Sequence, residues 1–104
     1  MSELDKLVEE IKLATDFQAN KKTLNEQIAT DLHIIYNGGM FKVTTGLLGF
    51  LATWPDDELF LEDIYENPIP INREEFLGKC RAHYQKVMNQ WYVQHEQLKQ
   101  IRKI

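Results

Sequence analysis

The chain is poor in residues that cross-link a protein or anchor it in a membrane. A single cysteine, Cys80, excludes an internal disulfide framework, which needs at least two thiols. The longest apolar stretch, from Gly46 to Trp54, is far shorter than the roughly 20 residues that span a bilayer. No basic, apolar leader opens the chain, because an amphipathic pattern starts within the first few residues. These absences predict a cytoplasmic protein with a reduced thiol and no membrane partner.

Length and charge bound the class of protein further. A chain of 104 residues predicts a single domain over residues 1–104. The apolar share of 43% and the charged share of 27% are typical of a globular protein. The net charge of −4 is unevenly spread, with 5 basic and 13 acidic residues in 1–72 against 7 basic and 3 acidic in 73–104. A basic C-terminal piece on an acidic chain favours protein partners over nucleic acid.

The N-terminal third carries a helical pattern that changes phase. Leu4, Leu7, Ile11 and Ala14 recur at helical spacing, with Ser2 as the expected N-cap. The pattern weakens over residues 18–22 and resumes from Leu24. One long helix with a phase shift and two helices meeting near Asn20 both fit, and we favour two helices.

Two hairpins and a short helix are expected in the middle of the chain. Asn37-Gly38 between β-rich runs is a strong signal for a tight hairpin. Thr44 or Thr45 can cap a short apolar helix that ends before Pro55. A second hairpin, over residues 58–71, should lie at a sheet edge because its prolines cannot donate to a ladder. We expect the two hairpins to form one sheet.

The last helix is the clearest element in the sequence. Asn72 can act as its N-cap, with Glu75 completing a capping box. An apolar seam with heptad spacing then runs along residues 77–101. A helix from residue 73 to 104 would be roughly 48 Å long at 1.5 Å per residue, so part of it should project from a small domain. Either the N-terminal helix or a second subunit could cover the seam. The predicted interface residues are Leu77, Tyr84, Val87, Trp91, Leu98 and Ile101.

Two other classes of function have weaker support. A metal-dependent enzyme would use Cys80 and His83, three residues apart on one helical face, with the carboxylates of residues 56–66. A nucleic-acid-binding regulator would use the basic side chains of the last helix. Neither set forms a complete motif, so the sequence predicts no catalytic residue, cofactor or metal site. The basic residues of the last helix are Lys79, Arg81, Lys86, Lys99, Arg102 and Lys103.

Three stretches also carry a resemblance to a known class of proteins. They are Asp31–Val43 (DLHIIYNGGMFKV), Tyr65–Ile71 (YENPIPI) and the helix from Asn72 to Trp91. Together they resemble small virion or tail-assembly proteins of tailed bacteriophages, especially contractile-tailed phages of cyanobacteria. The resemblance implies a structural or assembly role in the host cytoplasm or the virion, with no catalytic residues.

These patterns combine into one expectation. The fold should be α+β and helix-dominated, with N-terminal helices, two short β-hairpins and a long C-terminal heptad helix. The function should be non-enzymatic protein interaction, with a homo-oligomer formed through the C-terminal helix.

Overall fold

The fold is α+β and helix-dominated, as the sequence predicts. A computed structural model describes the main chain of residues 3–102 and the side chains of residues 3–100. Within that range the elements are α1 (Glu3–Asp31), β1 (His33–Tyr36), β2 (Gly39–Lys42), α2 (Thr45–Thr53), β3 (Glu58–Glu62), β4 (Pro68–Asn72) and α3 (Arg73–Arg102).

The N-terminal region is one helix, so the preference for two helices meeting near Asn20 is wrong. No glycine or proline lies between residues 3 and 31, and nothing therefore breaks the helical hydrogen bonds where the apolar pattern weakens. The change of phase turns the apolar stripe around the helix axis instead of ending the helix. The expected N-cap, Ser2, lies outside the described residues.

The first hairpin has the turn that its sequence predicts. β1 and β2 pair antiparallel, with Tyr36 opposite Gly39 and a two-residue loop between them. Both loop residues have positive φ, 48° at Asn37 and 81° at Gly38, as a type I′ turn requires. Gly39 is needed for a different reason. A Cβ there would lie 2.6 Å from Cγ1 of Ile69, so a side chain would push the two hairpins apart.

The hairpins form two separate two-stranded sheets, which corrects the expectation of one sheet. β3 and β4 pair antiparallel, with Phe60 opposite Pro70. The hairpins are joined by isolated hydrogen bonds, such as the Ile64 N–H donating to the Met40 carbonyl at 2.9 Å. Such bonds tie the two sheets together without continuing a ladder.

Both later helices begin where side chains can cap them. The Thr44 hydroxyl accepts a hydrogen bond from the Leu47 N–H at 3.1 Å, which starts α2. The side-chain carbonyl of Asn72 accepts from the Glu75 N–H at 3.2 Å, which starts α3. The Glu75 carboxylate instead faces Lys79 at 3.8 Å, so only half of the predicted capping box forms.

The main core lies where the hairpins and α2 pack on the first turns of α3. Phe76 is fully buried at its centre, with its ring centroid 4.7 Å from that of Tyr36 and 4.9 Å from that of Phe41. A smaller cluster joins α1 to α3 and consists of Leu24, Ile28 and Val87, with Leu32, Met88, Trp91 and Leu98 packed around them. The molecule is therefore elongated, measuring 67 × 23 × 19 Å.

Candidate protein-interaction site

The heptad seam of α3 is used inside the chain over most of its length. Leu77 is buried in the main core and Val87 in the α1–α3 cluster. Tyr84 packs at the edge of the main core, while Trp91 and Leu98 pack around the α1–α3 cluster. The side chain of Ile101 lies outside the described residues. The structure thus brings five of the six predicted residues onto one line, where they stabilise the folded chain.

The cover of the seam is α1, running antiparallel to α3. At one end His83 Nε2 lies 2.6 Å from the Asp31 carbonyl oxygen. At the other end Asn20 and Leu24 line the same groove as Gln94 and Leu98. Of the two covers that the sequence left open, the N-terminal helix of the same chain is the one present.

The N-terminal half of α1 extends past the end of α3, and we call residues 3–16 the arm. Opposite Asn20, α3 has only one further described turn after Leu98, whereas α1 continues for another 17 residues to Glu3. The arm therefore extends past the described end of α3 by roughly 13 residues, or about 20 Å. Every residue from 3 to 16 is exposed.

The arm carries an apolar stripe that no described residue covers. Leu4, Leu7, Val8 and Ile11 are between 52% and 68% exposed. At 3.6 residues per turn, this stripe points roughly 130° around the axis from the face of α1 that packs Leu24 and Ile28 against α3. A longer α3 would therefore run along a different face of the arm. The stripe is a separate surface and not an unfinished part of the α1–α3 contact.

The arm and the end of α3 carry opposite charge. Residues 3–16 contain five acidic and two basic side chains. Residues 95–104 contain three basic side chains and one acidic. Because α1 and α3 are antiparallel, the arm and the last described turn of α3 lie toward the same end of the molecule.

The possible metal ligands of the sequence are not assembled into a site. Cys80 is fully buried in the main core, and this burial raises the pKa of its thiol to about 11. His83 is directed to the Asp31 carbonyl. Among the described residues, no three His, Cys, Asp or Glu side chains lie close enough to hold a metal ion.

One residue of the acidic segment is structural, which sequence reasoning missed. Asp63 is only 7% exposed and accepts hydrogen bonds from the main-chain N–H groups of Asn67, Tyr65 and Met40, at 2.9, 3.0 and 3.2 Å. The bond from Asn67, followed by those from Met40 and Tyr65, lowers the pKa of this carboxyl group against the opposing effect of burial. The other acidic side chains of residues 56–66 are exposed.

The basic residues of α3 do not form one continuous stripe. Helical geometry places Lys79 and Lys86 on one side of α3 and Arg81 and Lys99 roughly 150° away. Lys79 also pairs with Glu75 at 3.8 Å, and Lys99 pairs with Glu96 at 3.3 Å. Both pairs are exposed and add little stability. The side chains of Arg102 and Lys103 lie outside the described residues.

The short apolar helix α2 mainly contributes to the core. Leu51 is fully buried, and Leu47 and Leu48 pack against the main core. Phe50 and Trp54 remain partly exposed, 39% and 36%, with their ring centroids 5.1 Å apart. They form a smaller exposed surface than the arm stripe.

Two further observations bear on the site. None of the helices within residues 3–102 combines the length and the apolar character that a membrane crossing needs. Comparison of the chain with family models, curated proteins and solved structures finds no match.

Proposed function

We propose that this chain is a non-enzymatic protein-interaction module that binds a second copy of itself through the arm. The observation that carries the proposal is the exposed stripe of Leu4, Leu7, Val8 and Ile11, on a helical segment that α3 does not reach. Contiguous exposed apolar surface on a small protein is typical of an interaction site. This assignment moves the contact from the predicted seam of α3 to the arm of α1.

Charge complementarity supports a second copy as the occupant. The arm is acidic, and the last ten residues of the chain are basic. If two copies meet end to end around a two-fold axis, each arm lies beside the helix end of the other copy. Opposite charges then face each other twice, and the apolar stripes are removed from water between them.

The size of the stripe predicts weak, concentration-dependent association. Burying the exposed part of each aliphatic side chain contributes roughly 1–1.5 kcal/mol, and two copies bring eight such side chains. At the low end of the cost of association, about 4 kcal/mol in lost freedom of motion, roughly 4–8 kcal/mol is left. The balance corresponds to a dissociation constant on the order of micromolar to millimolar. A copy of this chain would therefore assemble where its local concentration is high, which accords with the resemblance to phage assembly proteins.

The test is a pair of matched substitutions followed by light scattering. Val8→Asp places a charge in the stripe, where the side chain is 57% exposed. Val93→Asp makes the same change on α3, at a side chain that is 54% exposed. We expect the mass of the wild type and of Val93→Asp to rise toward a dimer between about 10 µM and 1 mM, in line with that range. Val8→Asp should remain a monomer, with an unchanged circular dichroism spectrum.

Raising the salt concentration separates the electrostatic part of the proposed contact from its apolar part. Salt screens the contact between the arm and the end of α3, so the dimer should weaken at high ionic strength. A wild-type chain that is monomeric at 1 mM and low salt would refute self-association. A dimer that Val8→Asp leaves intact would show that the arm is not its interface.

A further inference from the structure

The outer edge of β3 has main-chain groups without partners. The Asp63 N–H donates to the Asn67 carbonyl at 3.0 Å, and the Arg73 N–H donates to the Asp57 carbonyl at 2.9 Å. These two bonds set the phase of the β3–β4 ladder, so alternate residues of β3 point their N–H and C=O groups away from β4. The residues of β3 whose main-chain groups point outward are Glu58, Phe60 and Glu62. Outside the ladder, no hydrogen bond within the described residues reaches the main chain of these three.

The opposite edge of the same hairpin is closed. In β4 the outward positions 68 and 70 are prolines, which have no N–H to offer. The Pro70 carbonyl accepts a hydrogen bond from Nδ2 of Asn37 at 2.8 Å. The Asn72 N–H donates to the Tyr36 hydroxyl at 3.3 Å. A strand can therefore join this hairpin only along β3.

The side chains at the open edge indicate the chemistry of that strand. Phe60 is 75% exposed and is flanked on the same face by the exposed Glu58 and Glu62. No basic residue occurs from Pro55 to Asn72. A second copy of β3 would bring carboxylates opposite carboxylates, which is destabilising. A strand with basic side chains would instead pair its charges with Glu58 and Glu62 and would contact the Phe60 ring between them.

We propose that the outer edge of β3 binds an extended, basic segment of another protein by strand addition. Residues directly opposite Glu62, Phe60 and Glu58 form cross-strand pairs, so the favoured segment reads basic–X–apolar–X–basic. An open groove of about 580 Å³ lies beside Phe60 and Pro70, with Glu58 and Glu75 among its lining residues, and gives room for a long basic side chain. This surface is separate from the arm, and the inference does not depend on self-association.

The first experiment uses a defined peptide and the full chain. The probe is a blocked peptide with the core lysine–threonine–valine–threonine–lysine, and the control peptide has glutamate in place of both lysines. Titration of the isotope-labelled protein at low salt should shift the amide resonances of Glu58, Phe60 and Glu62 in a saturable way. Hydrogen exchange at the same three amides should slow, because the peptide carbonyls accept from them. The glutamate peptide should cause neither change.

Substitution of Phe60 by proline tests the centre of the open edge, because it removes both the outward N–H and the exposed ring. Position 60 points its N–H away from β4, so Phe60→Pro removes an edge donor without breaking a ladder bond. The N–H of Ile35 in β1 also points away from its partner strand. The Val43 N–H donates to the Leu32 carbonyl, and this bond sets the phase of the β1–β2 ladder. Ile35→Pro is therefore the matched control. Phe60→Pro should weaken peptide binding at least tenfold, and Ile35→Pro should leave it unchanged.

A charge reversal tests the electrostatic part and covers the case in which a proline variant fails to fold. Glu58 and Glu62 are exposed, so changing both to lysine should preserve the fold. That variant should lose the lysine peptide and gain the glutamate peptide. Absence of saturable shifts with the lysine peptide at roughly 1 mM would overturn the proposal. Equal binding of both peptides by the wild type, or unchanged affinity in the lysine variant, would also overturn it.

Discussion

Asp63 joins the two hairpins, although it belongs to only one of them. Its carboxylate accepts from two N–H groups in its own loop and from the Met40 N–H of the other hairpin. A carboxylate with three main-chain donors is stabilised in its charged form. The Asp63 side chain therefore links by hydrogen bonds two hairpins that share no strand ladder.

The stability of the fold should depend on the ionisation of Asp63. Because its pKa is lower in the folded chain than the ordinary value of 3.8, its contribution is complete above that value. The contribution is lost as the pH falls through the lower, folded pKa. Asp63→Asn would also place an N–H group where one oxygen accepts from Met40. We expect this variant to have a lower melting temperature at pH 7, with the difference from wild type shrinking below about pH 4.

Thermal unfolding followed by circular dichroism between pH 7 and pH 2 measures this effect. Asp56→Asn is the control, because Asp56 is exposed in the same segment. An equal loss of stability in both variants, or a difference for Asp63→Asn that is independent of pH, would contradict a stabilising role for the ionised Asp63 carboxylate.

At the scale of the element, α1 consists of two halves with different surroundings. In the second half Leu24 and Ile28 pack against α3, whereas the apolar side chains of the arm are exposed. The helix is continuous, and its apolar stripe turns by roughly 130° around the axis between the two halves, at 3.6 residues per turn. Packing of the second half holds the first half in position.

Two isoleucines of α1 provide a matched comparison of these halves. Ile28 is 6% exposed and Ile11 is 57% exposed. Ile28→Ala should lower the free energy of unfolding by about 2–4 kcal/mol, because it leaves a cavity in the α1–α3 cluster. Ile11→Ala should change it by no more than about 0.5 kcal/mol in dilute solution.

Urea denaturation at low protein concentration measures both values. Similar values for the two variants would mean that α1 is not held by its packing against α3. A large loss for Ile11→Ala alone would mean that the arm is buried in the monomer.

Local signals in the sequence predicted the elements well, and their reasons are visible in the structure. The Asn37-Gly38 turn and the Thr44 and Asn72 caps depend on neighbouring residues only, so short patterns specify them. The continuity of α1 was missed because a change of apolar phase looks the same whether the helix ends or its surroundings change. The separation of the hairpins into two sheets was missed because it depends on contacts between distant residues, such as Gly39 and Ile69.

At the scale of the whole molecule, the sequence located the apolar surfaces without showing which of them is covered. The α3 seam was predicted as an interface, yet most of it packs within the chain. The arm stripe was predicted as a helix face, yet it is exposed. Whether a surface is covered depends on how far each helix extends past the other, and no local pattern encodes that length.

The elongated shape provides a measurement of the proposed dimer. One chain is 67 Å long with a Cα radius of gyration of 19.8 Å. Two copies joined by their arms extend in opposite directions, so the longest dimension should greatly exceed 67 Å. We expect small-angle X-ray scattering to show both quantities increasing together with protein concentration, and Val8→Asp to abolish the increase. A dimer of unchanged length would indicate side-by-side packing and contradict the end-to-end arrangement.

The antiparallel pairing of α1 and α3 has a consequence for valency. It places the arm at one end of the molecule and both hairpins at the other. A dimer joined at the arms would carry one open β3 edge at each far end. Such a particle would be a spacer with two identical, outward-facing binding sites, and it would bind best to partners whose basic segments repeat at a matching distance.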